Sequence, residues 1–386
     1  MKKKILFFSG SRAEYNIQYP ILKIFQNNKF FKTFFVVAGS HTSGIVGNTF
    51  KQIKKDKIKV SHKIKLKLSS NLNLELNKYS IDLQDKFAKI LIQTKPDCIF
   101  LTSDRFETLS VAMVSHFLRI PIIHLEGGDV TEGGTLDDNS RHAITKLSSF
   151  HLVTNKDSEK RVLKMGETKN RVLNVGFPPL TNINRKKLFT KTYIEKNFNI
   201  QKNQKVILFT YHPVPSELAR VNIIFKSLKK IQNKNIKIIV TYPNFDPGYD
   251  KVLKYINNLN QSKENFIIKK NLGRKMYFSL LNYLGNQNKG ICMGNSSSGI
   301  KETLFFNCKT INLGSRQKTR LKTRNIYECD VNYSSILKKT SKILRLKKDF
   351  SKTSNPYYYL SNFKKVDKKI FKFLNSKNYN KKTISY

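Results

Sequence analysis

The chain has 386 residues, enough for two hydrophobic cores, because a single core rarely grows past roughly 250–300 residues. Its 72 Lys and Arg against 26 Asp and Glu give a formal charge of +46, yet the lysines are spread along the whole chain, which argues against nucleic acid or a membrane surface as partner and for an anionic substrate. Four scattered cysteines without a C-x-x-C spacing, and no apolar run near the about 18 residues of a membrane helix, exclude a disulfide framework, structural zinc and a membrane span; a reduced, cytoplasmic protein is expected.

The opening "MKKKILFFSGSRAEY" places basic residues before an apolar run that stops at Ser9-Gly10-Ser11-Arg12, which reads as a first strand rather than an export signal. Short apolar runs then alternate with helical patterns. The first series of strands is expected at 4–9, 33–38, 98–102, 121–125, 151–154 and 172–175. A second series follows at 206–210, 237–241, 266–269, 290–293, 310–313 and 326–329. Apolar residues at three- and four-residue spacing predict helices over 82–92, 106–118 and 218–231; Pro20 falls near the start of the first helix and costs something unless it sits within the first turn. The "GFPPL" segment from Gly176 marks the end of the first series. The fold class is therefore α/β, with two Rossmann-like domains, residues 1–180 and 181–356, a helix over about 357–376, and a polar tail at 377–386. Open parallel sheets bind ligands at the carboxyl ends of their strands, so the site is expected in a cleft between two facing sheets.

Polar residues just after each predicted strand are the candidates for that cleft. After the first strand come Ser9, Ser11, Arg12 and Glu14; further on are His41 and the "TSDRFE" stretch with Asp104, Arg105 and Glu107. "HLEGGDVTEGGTLDDNSRH" supplies Glu126, Asp129, Glu132, Asp137, Asp138, Arg141 and His142. From the second series come His212, Asn244, the serine loop "GNSSSGIKET" with Ser296, Ser297 and Glu302, and Arg316. Seven of the chain's 26 carboxylates fall between Asp104 and Asp138. Such clustering suits either a salt-bridge network or general acid/base chemistry, which needs carboxylates in contrasting environments. A glycine and small hydroxyl residues at a strand-to-helix turn leave N–H groups uncovered, as a phosphate requires, or serve as an ordinary N-cap. "HLE" matches the H-x-E of zinc deaminases but lacks their P-C-x-x-C, so no metal is expected. The loop does not fit G-x-S-x-G, and no G-x-G-x-x-G follows the first strand, which argues against a serine nucleophile and a nicotinamide cofactor.

In order along the chain, "GSRAEY", "GSH" with "GNT", "DRFE", "HLEGGD", "DDNSRHAITKLS", "VGFP", "HPV", "GNSSSGIKE", "NLGSRQ" and "NPY" resemble the hydrolysing UDP-N-acetylglucosamine 2-epimerases of sialic-acid-type sugar pathways. The resemblance implies a glycosyltransferase-B-like pair of domains, the nucleotide held mainly by the second, with the final helix crossing back to the first. It implies Asp104, Glu126 and Asp137 around the sugar with Arg141 beside them, and His212 at the phosphates or the departing oxygen. It further implies Arg12 near the diphosphate, Ser296 and Ser297 as its binding serines, Glu302 on the ribose hydroxyls and Arg316 at the nucleotide end. Two features depart from the pattern: Ser103, where many relatives have glycine before the aspartate, and the "VTEGGTLDD" stretch, which matches only part of the family.

The resemblance implies the substrate, a UDP-sugar, no cofactor, and a homodimer or homotetramer. The C2 hydrogen of such a sugar becomes acidic only as the bond from C1 to the diphosphate breaks, so positioned carboxylates and a diphosphate site serve one reaction. Elimination to a 2-acetamidoglycal and hydration with proton return from the other face give the free 2-epimer and UDP. The residues leave open which group is base and which acid, whether the sugar is N-acetylglucosamine or a 4-amino-6-deoxy relative, and whether UDP or GDP is the carrier. A non-hydrolysing epimerase, a glycosyltransferase of the same architecture and a basic RNA- or anionic-lipid-binding protein are the alternatives.

Overall fold

The computed structural model describes residues 1–42, 50–66, 73–131, 136–243, 248–260 and 265–382. The chain divides into two units, Met1–Ile183 with Pro356–Tyr386, and Asn184–Asn355. Among the described residues no helix is long and apolar enough to cross a membrane.

The first unit is built on seven strands: β1 (Lys3–Ser9), β2 (Phe31–Val37), β3 (His62–Lys63), β4 (Cys98–Thr102), β5 (Ile122–Leu125), β6 (Phe150–Val153) and β7 (Val172–Asn174). They pair in parallel in the order β3-β2-β1-β4-β5-β6-β7. The apolar runs are continuous because both faces of the sheet are covered. Ile5 and Phe7 of β1 enter one core with Phe100, Tyr15 and Phe25, while Leu6 and Phe8 enter the other with Ile99, Leu101 and Phe87. The helices that matter for the site are α1 (Arg12–Gln26), α2 (Asn73–Thr94), α3 (Phe106–Phe117) and α4 (Leu136–Leu147).

The second unit carries β8 (Lys205–Thr210), β9 (Ile236–Thr241), β10 (Phe266–Lys269), β11 (Gly290–Gly294), β12 (Thr310–Leu313) and β13 (Ile326–Cys329), all parallel, in the order β10-β9-β8-β11-β12-β13. Its helices include α5 (Val221–Ile231), α6 (Gly273–Gly285) and the five-residue α7 (Ser297–Lys301). In each unit the order runs outward in both directions from a central pair, β1 with β4 and β8 with β11. Connections leave that pair toward opposite sides and open a crevice at the strand carboxyl ends.

Three local expectations are corrected. Helix α1 starts at Arg12, so Pro20 lies in its interior; the helix survives because Tyr15, Ile21, Leu22 and Phe25 bury a full face against the sheet. The helix expected from residue 218 begins as α5 at Val221, because Pro215 opens a 3-10 segment through Arg220. The two-residue β3 is an addition to the expected strands, since "HK" carries no strand pattern of its own; it is recruited by pairing with Val36 and Val37.

The C-terminal segment belongs to the first unit. Gly176 has φ +71, and a Cβ there would stand 2.6 Å from the Tyr357 carbonyl, whose oxygen accepts from the Phe177 N–H at 2.7 Å. Helix α8 (Val366–Leu374) then buries Val366, Ile370 and Phe373 in the core of Phe31, Phe35 and Phe150. Beyond it Lys382 reaches the Ser148 carbonyl at 2.8 Å and Glu167 at 2.8 Å, so this part of the expected polar tail is tied to the C-terminal end of α4. Replacing the fully buried Ile370 by Ala should cost about 2–5 kcal/mol. Hydrogen exchange in peptides covering β1 and β2 would then accelerate; unchanged exchange would show that α8 is not part of that core.

Candidate active site

Loops after β1, β2 and β4 converge in the first unit. Ser11 caps α1 by accepting from the Glu14 N–H at 3.3 Å, and the Glu14 carboxylate folds back to accept from the Gly10 N–H at 2.8 Å and from the Thr108 hydroxyl at 2.5 Å. Glu107, also buried, lies beside Glu14 at Gly10, where a Cβ would meet both side chains at 3.3–3.4 Å, and is held by Arg105 Nε at 3.0 Å. Burial, reinforced by the neighbouring Glu107 charge, raises Glu14 from 4.5 to about 7. His41 touches the Ser9 hydroxyl at 2.9 Å, and burial lowers its pKa to about 4, so it is neutral at physiological pH. Arg12, half-buried, occupies the first position of α1.

The acidic cluster sorts into separate jobs after β4 and β5. Arg141 of α4 is 2% exposed and pairs with Asp104 and, at 2.7 Å, with Asp138; it also donates to the Asp129 carbonyl at 2.8 Å and the Thr131 hydroxyl at 3.2 Å. Asp129 accepts from the hydroxyls of Thr154, at 2.9 Å, and Ser158, at 2.6 Å. Glu126 is buried and accepts from the Ser103 hydroxyl. Asp137 is exposed in the first turn of α4, whereas its neighbour Asp138 is buried in the arginine network. Asp104 keeps a side-chain exposure of 17%, so its carboxylate is both oriented and reachable.

In the second unit the loops after β8 and β11 are fastened by one side chain. Asn295 accepts from the His212 N–H at 2.6 Å and donates to the His212 carbonyl at 2.8 Å. Gly294, at φ +133, lets β11 approach β8 so closely that a Cβ would lie 1.8 Å from the Thr210 carbonyl. The Asn295 carbonyl accepts from Arg316 at 3.2 Å and from Gln317 at 3.0 Å. Ser296 and Ser297 are half-buried at the start of α7, where the Ser296 side chain makes no cap hydrogen bond. Tyr277 of α6 meets Ser298 at 2.5 Å, and Ser298 donates to the buried Glu302 carboxylate, which burial raises to about 7.

Of the expected site residues, Arg12, His41, Asp104, Arg105 and Glu126 follow strands of the first unit, while Asp137 and Arg141 stand on α4. His212, Ser296, Ser297 and Arg316 follow strands of the second unit, with Glu302 at the end of α7; Asn244 lies outside the described residues. In the sequence Glu14, Glu107 and Asp138 carry no signal of a role, and Asn295 reads only as part of a small-residue turn. Among the described residues no group of three or more His, Cys, Asp and Glu side chains could hold a metal ion.

Glu14 makes the electrostatics testable. Its carboxyl titrates near 4.5 in the unfolded chain and near 7 in the fold, so its contribution to stability is complete below pH 4.5 and lost as pH rises through 7. Glu14→Gln should remove roughly 2–3 kcal/mol of that decline between pH 4.5 and 7. Urea unfolding across this range would contradict the assignment if the wild-type and variant stability curves ran parallel.

Comparison with known proteins gives this arrangement a family. A sequence profile described as UDP-N-acetylglucosamine 2-epimerase matches residues 23–373. The UDP-N,N'-diacetylbacillosamine 2-epimerase (hydrolyzing) of Legionella pneumophila is 32% identical over 338 residues, 87% of this chain and 88% of the relative. The GDP/UDP-N,N'-diacetylbacillosamine 2-epimerase (hydrolyzing) of Campylobacter jejuni is 33% identical over 336 residues, 86% and 85% of the two chains. Among solved structures, S. aureus MnaA with UDP superposes with TM-score 0.79 at 16% identity, each chain fully covered. The Neisseria meningitidis UDP-GlcNAc 2-epimerase bound to UDP-GlcNAc gives 0.76 at 18%, over 96% of this chain and all of that one. Two Rossmann-like parallel sheets, acidic loops in one and a serine loop in the other, together with a profile spanning nearly the whole length, place the chain in the UDP-N-acetylglucosamine 2-epimerase family.

Proposed function

We propose that this enzyme is a hydrolysing 2-epimerase acting on a UDP-linked 2-acetamido sugar, with UDP-N,N'-diacetylbacillosamine as its substrate, and that it releases UDP and the free manno-configured 2-epimer for nonulosonic (sialic-type) acid synthesis. The observation that carries the reading is the 32–33% identity, over 86–87% of the chain, to relatives named for that substrate and for hydrolysis. The Neisseria meningitidis relative named UDP-N-acetylglucosamine 2-epimerase is 26% identical over a similar length. The reading includes a cytoplasmic enzyme working as a homodimer or homotetramer. Exposed Ile81, Phe117 and Leu136 on the successive helices α2, α3 and α4 support self-association there.

In this reading the half-buried Ser296 and Ser297, with Arg12 and Arg316, bind the diphosphate, His212 stands at the bridging oxygen, and Glu302 receives the ribose hydroxyls. A base among Asp104, Glu126, Asp137 and His212 takes the C2 proton. The electrons of that C–H bond form the C1–C2 double bond, and the C1–O bond breaks toward UDP, whose charge is met by the serine-loop donors. Water then adds its oxygen to C1 of the glycal, and a proton returns to C2 from the opposite face. Two ionisable groups on opposite faces are needed. Arg141 contributes by holding Asp104 rather than by touching the sugar, since its guanidinium is committed to two carboxylates and a carbonyl.

The test is incubation with UDP-N,N'-diacetylbacillosamine, its GDP analogue and UDP-N-acetylglucosamine, each without an acceptor, followed by NMR of the products. Free UDP and a free manno sugar, formed fastest from the diacetylbacillosamine donor, are expected. A UDP-linked 2-epimer would indicate a non-hydrolysing epimerase, and absence of turnover with all three would overturn the proposal.

A further inference from the structure

Two residues outside glycine hold left-handed backbone at the ends of adjacent strands: Ser103, φ +66, after β4, and Glu126, φ +71, after β5. Thr102 pairs with Leu125, so the two occupy the next step of the ladder side by side. Both are buried, Ser103 at 8% and Glu126 at 6% exposure. The backbone of Ser103 is fastened at both ends. Its N–H donates to the Leu125 carbonyl at 3.0 Å, and its own carbonyl faces His124 Nε2 at 2.8 Å. A carbonyl can only accept, so the buried, neutral His124 carries its proton on Nε2. Glycine would adopt this conformation without strain, and the fastening requires only backbone atoms. The Cβ and hydroxyl of Ser103 are therefore retained against local backbone preference, and the hydroxyl donates its one proton to the Glu126 carboxylate.

We infer that Ser103 is a positioning residue of the reaction: its hydroxyl holds the Glu126 carboxylate oriented at the end of β5, while its left-handed turn delivers Asp104 to Arg141. The inference rests on the proposed function only in taking Glu126 as a group of the reaction. Without the Ser103 donor the Glu126 side chain loses a contact that fixes its direction, whether that residue serves as acid or as base. The other ionisable groups of the adjoining segments are the Asp104–Arg141–Asp138 network, Asp129, Arg105, His142 and neutral His124; none depends on the Ser103 hydroxyl for a hydrogen bond.

Ser103→Gly separates strain from function, because it relieves the one and removes the other. The variant should melt at or above the wild-type temperature and bind UDP with unchanged affinity in calorimetry. Its kcat should fall about 10–100-fold with KM nearly unchanged, the split expected when a reacting group is misplaced while binding is kept. Ser103→Ala, which keeps the Cβ, should reproduce the kinetic change without the gain in melting temperature. Carbon-13 NMR of the Glu126 side chain, assigned with Glu126→Gln and run without substrate, reads its rotamer order independently of turnover. Rotamer averaging of Glu126 in Ser103→Gly supports the positioning role even if no UDP-sugar is turned over, which would instead sink the proposed function. Wild-type kcat with an unchanged Glu126 rotamer in both variants would overturn the inference.

Discussion

A buried guanidinium fixes the acidic end of the first unit. Arg141 is almost fully withdrawn from water, and a charge so placed is tolerated only if paired and hydrogen-bonded. The structure meets that demand with Asp104 from the loop after β4, Asp138 one turn earlier in α4, and the Asp129 carbonyl and Thr131 hydroxyl after β5. Three separate segments thereby share one ion. Removing the arginine would leave two carboxylates facing each other in a low-dielectric site, and the loops carrying Asp104 and Glu126 would lose their common anchor. The partly exposed Asp104 carboxylate is thus oriented by an arginine that is itself buried.

The second unit solves the corresponding problem with neutral groups. Asn295 closes both backbone positions of His212 across the gap between β11 and β8, and the close strand approach at Gly294 makes that reach short. Arg316 and Gln317 converge on the Asn295 carbonyl, so the loops after β8, β11 and β12 meet at one residue. Beside the serine loop, Tyr277, Ser298 and Glu302 form a partly buried hydrogen-bonded chain. Donors fixed in this way need no reorganisation to meet an anion. The net charge of +46 adds a long-range attraction for an anionic nucleotide sugar that salt would screen.

Much of this was legible in the sequence, and the failures have physical causes. Continuous apolar runs such as "ILFF" and "VILF" announce strands buried on both faces, and their alternation with helical patterns gives a doubly wound order. Hydroxyl, acidic and basic residues after those runs mark the carboxyl ends of strands, which is why Arg12, Asp104, Glu126 and His212 could be selected. Adjacent positions on a helix were harder: Asp137 and Asp138 differ by about 100° around α4, so one is exposed and the other buried beside Arg141. The sequence does not reveal which side faces inward when both neighbours are acidic. Left-handed backbone at Ser103 and Glu126 was equally hidden, because it is imposed by contacts with β5, β6 and His124 rather than by local preference. Pro20 misled for the opposite reason, since tertiary burial outweighed a local penalty.

The central claim is that these carboxylates act on C2 while the serine loop receives the diphosphate, so that catalysis proceeds by elimination. Turnover of the UDP-sugar in deuterium oxide, with the C2 position of the released manno sugar read by proton NMR, tests this most directly. Elimination discards the original C2 hydrogen and returns one that has exchanged with solvent, so the product should carry deuterium at C2 and the UDP should be released free. A free manno sugar that retains the substrate's own hydrogen at C2 would contradict the account.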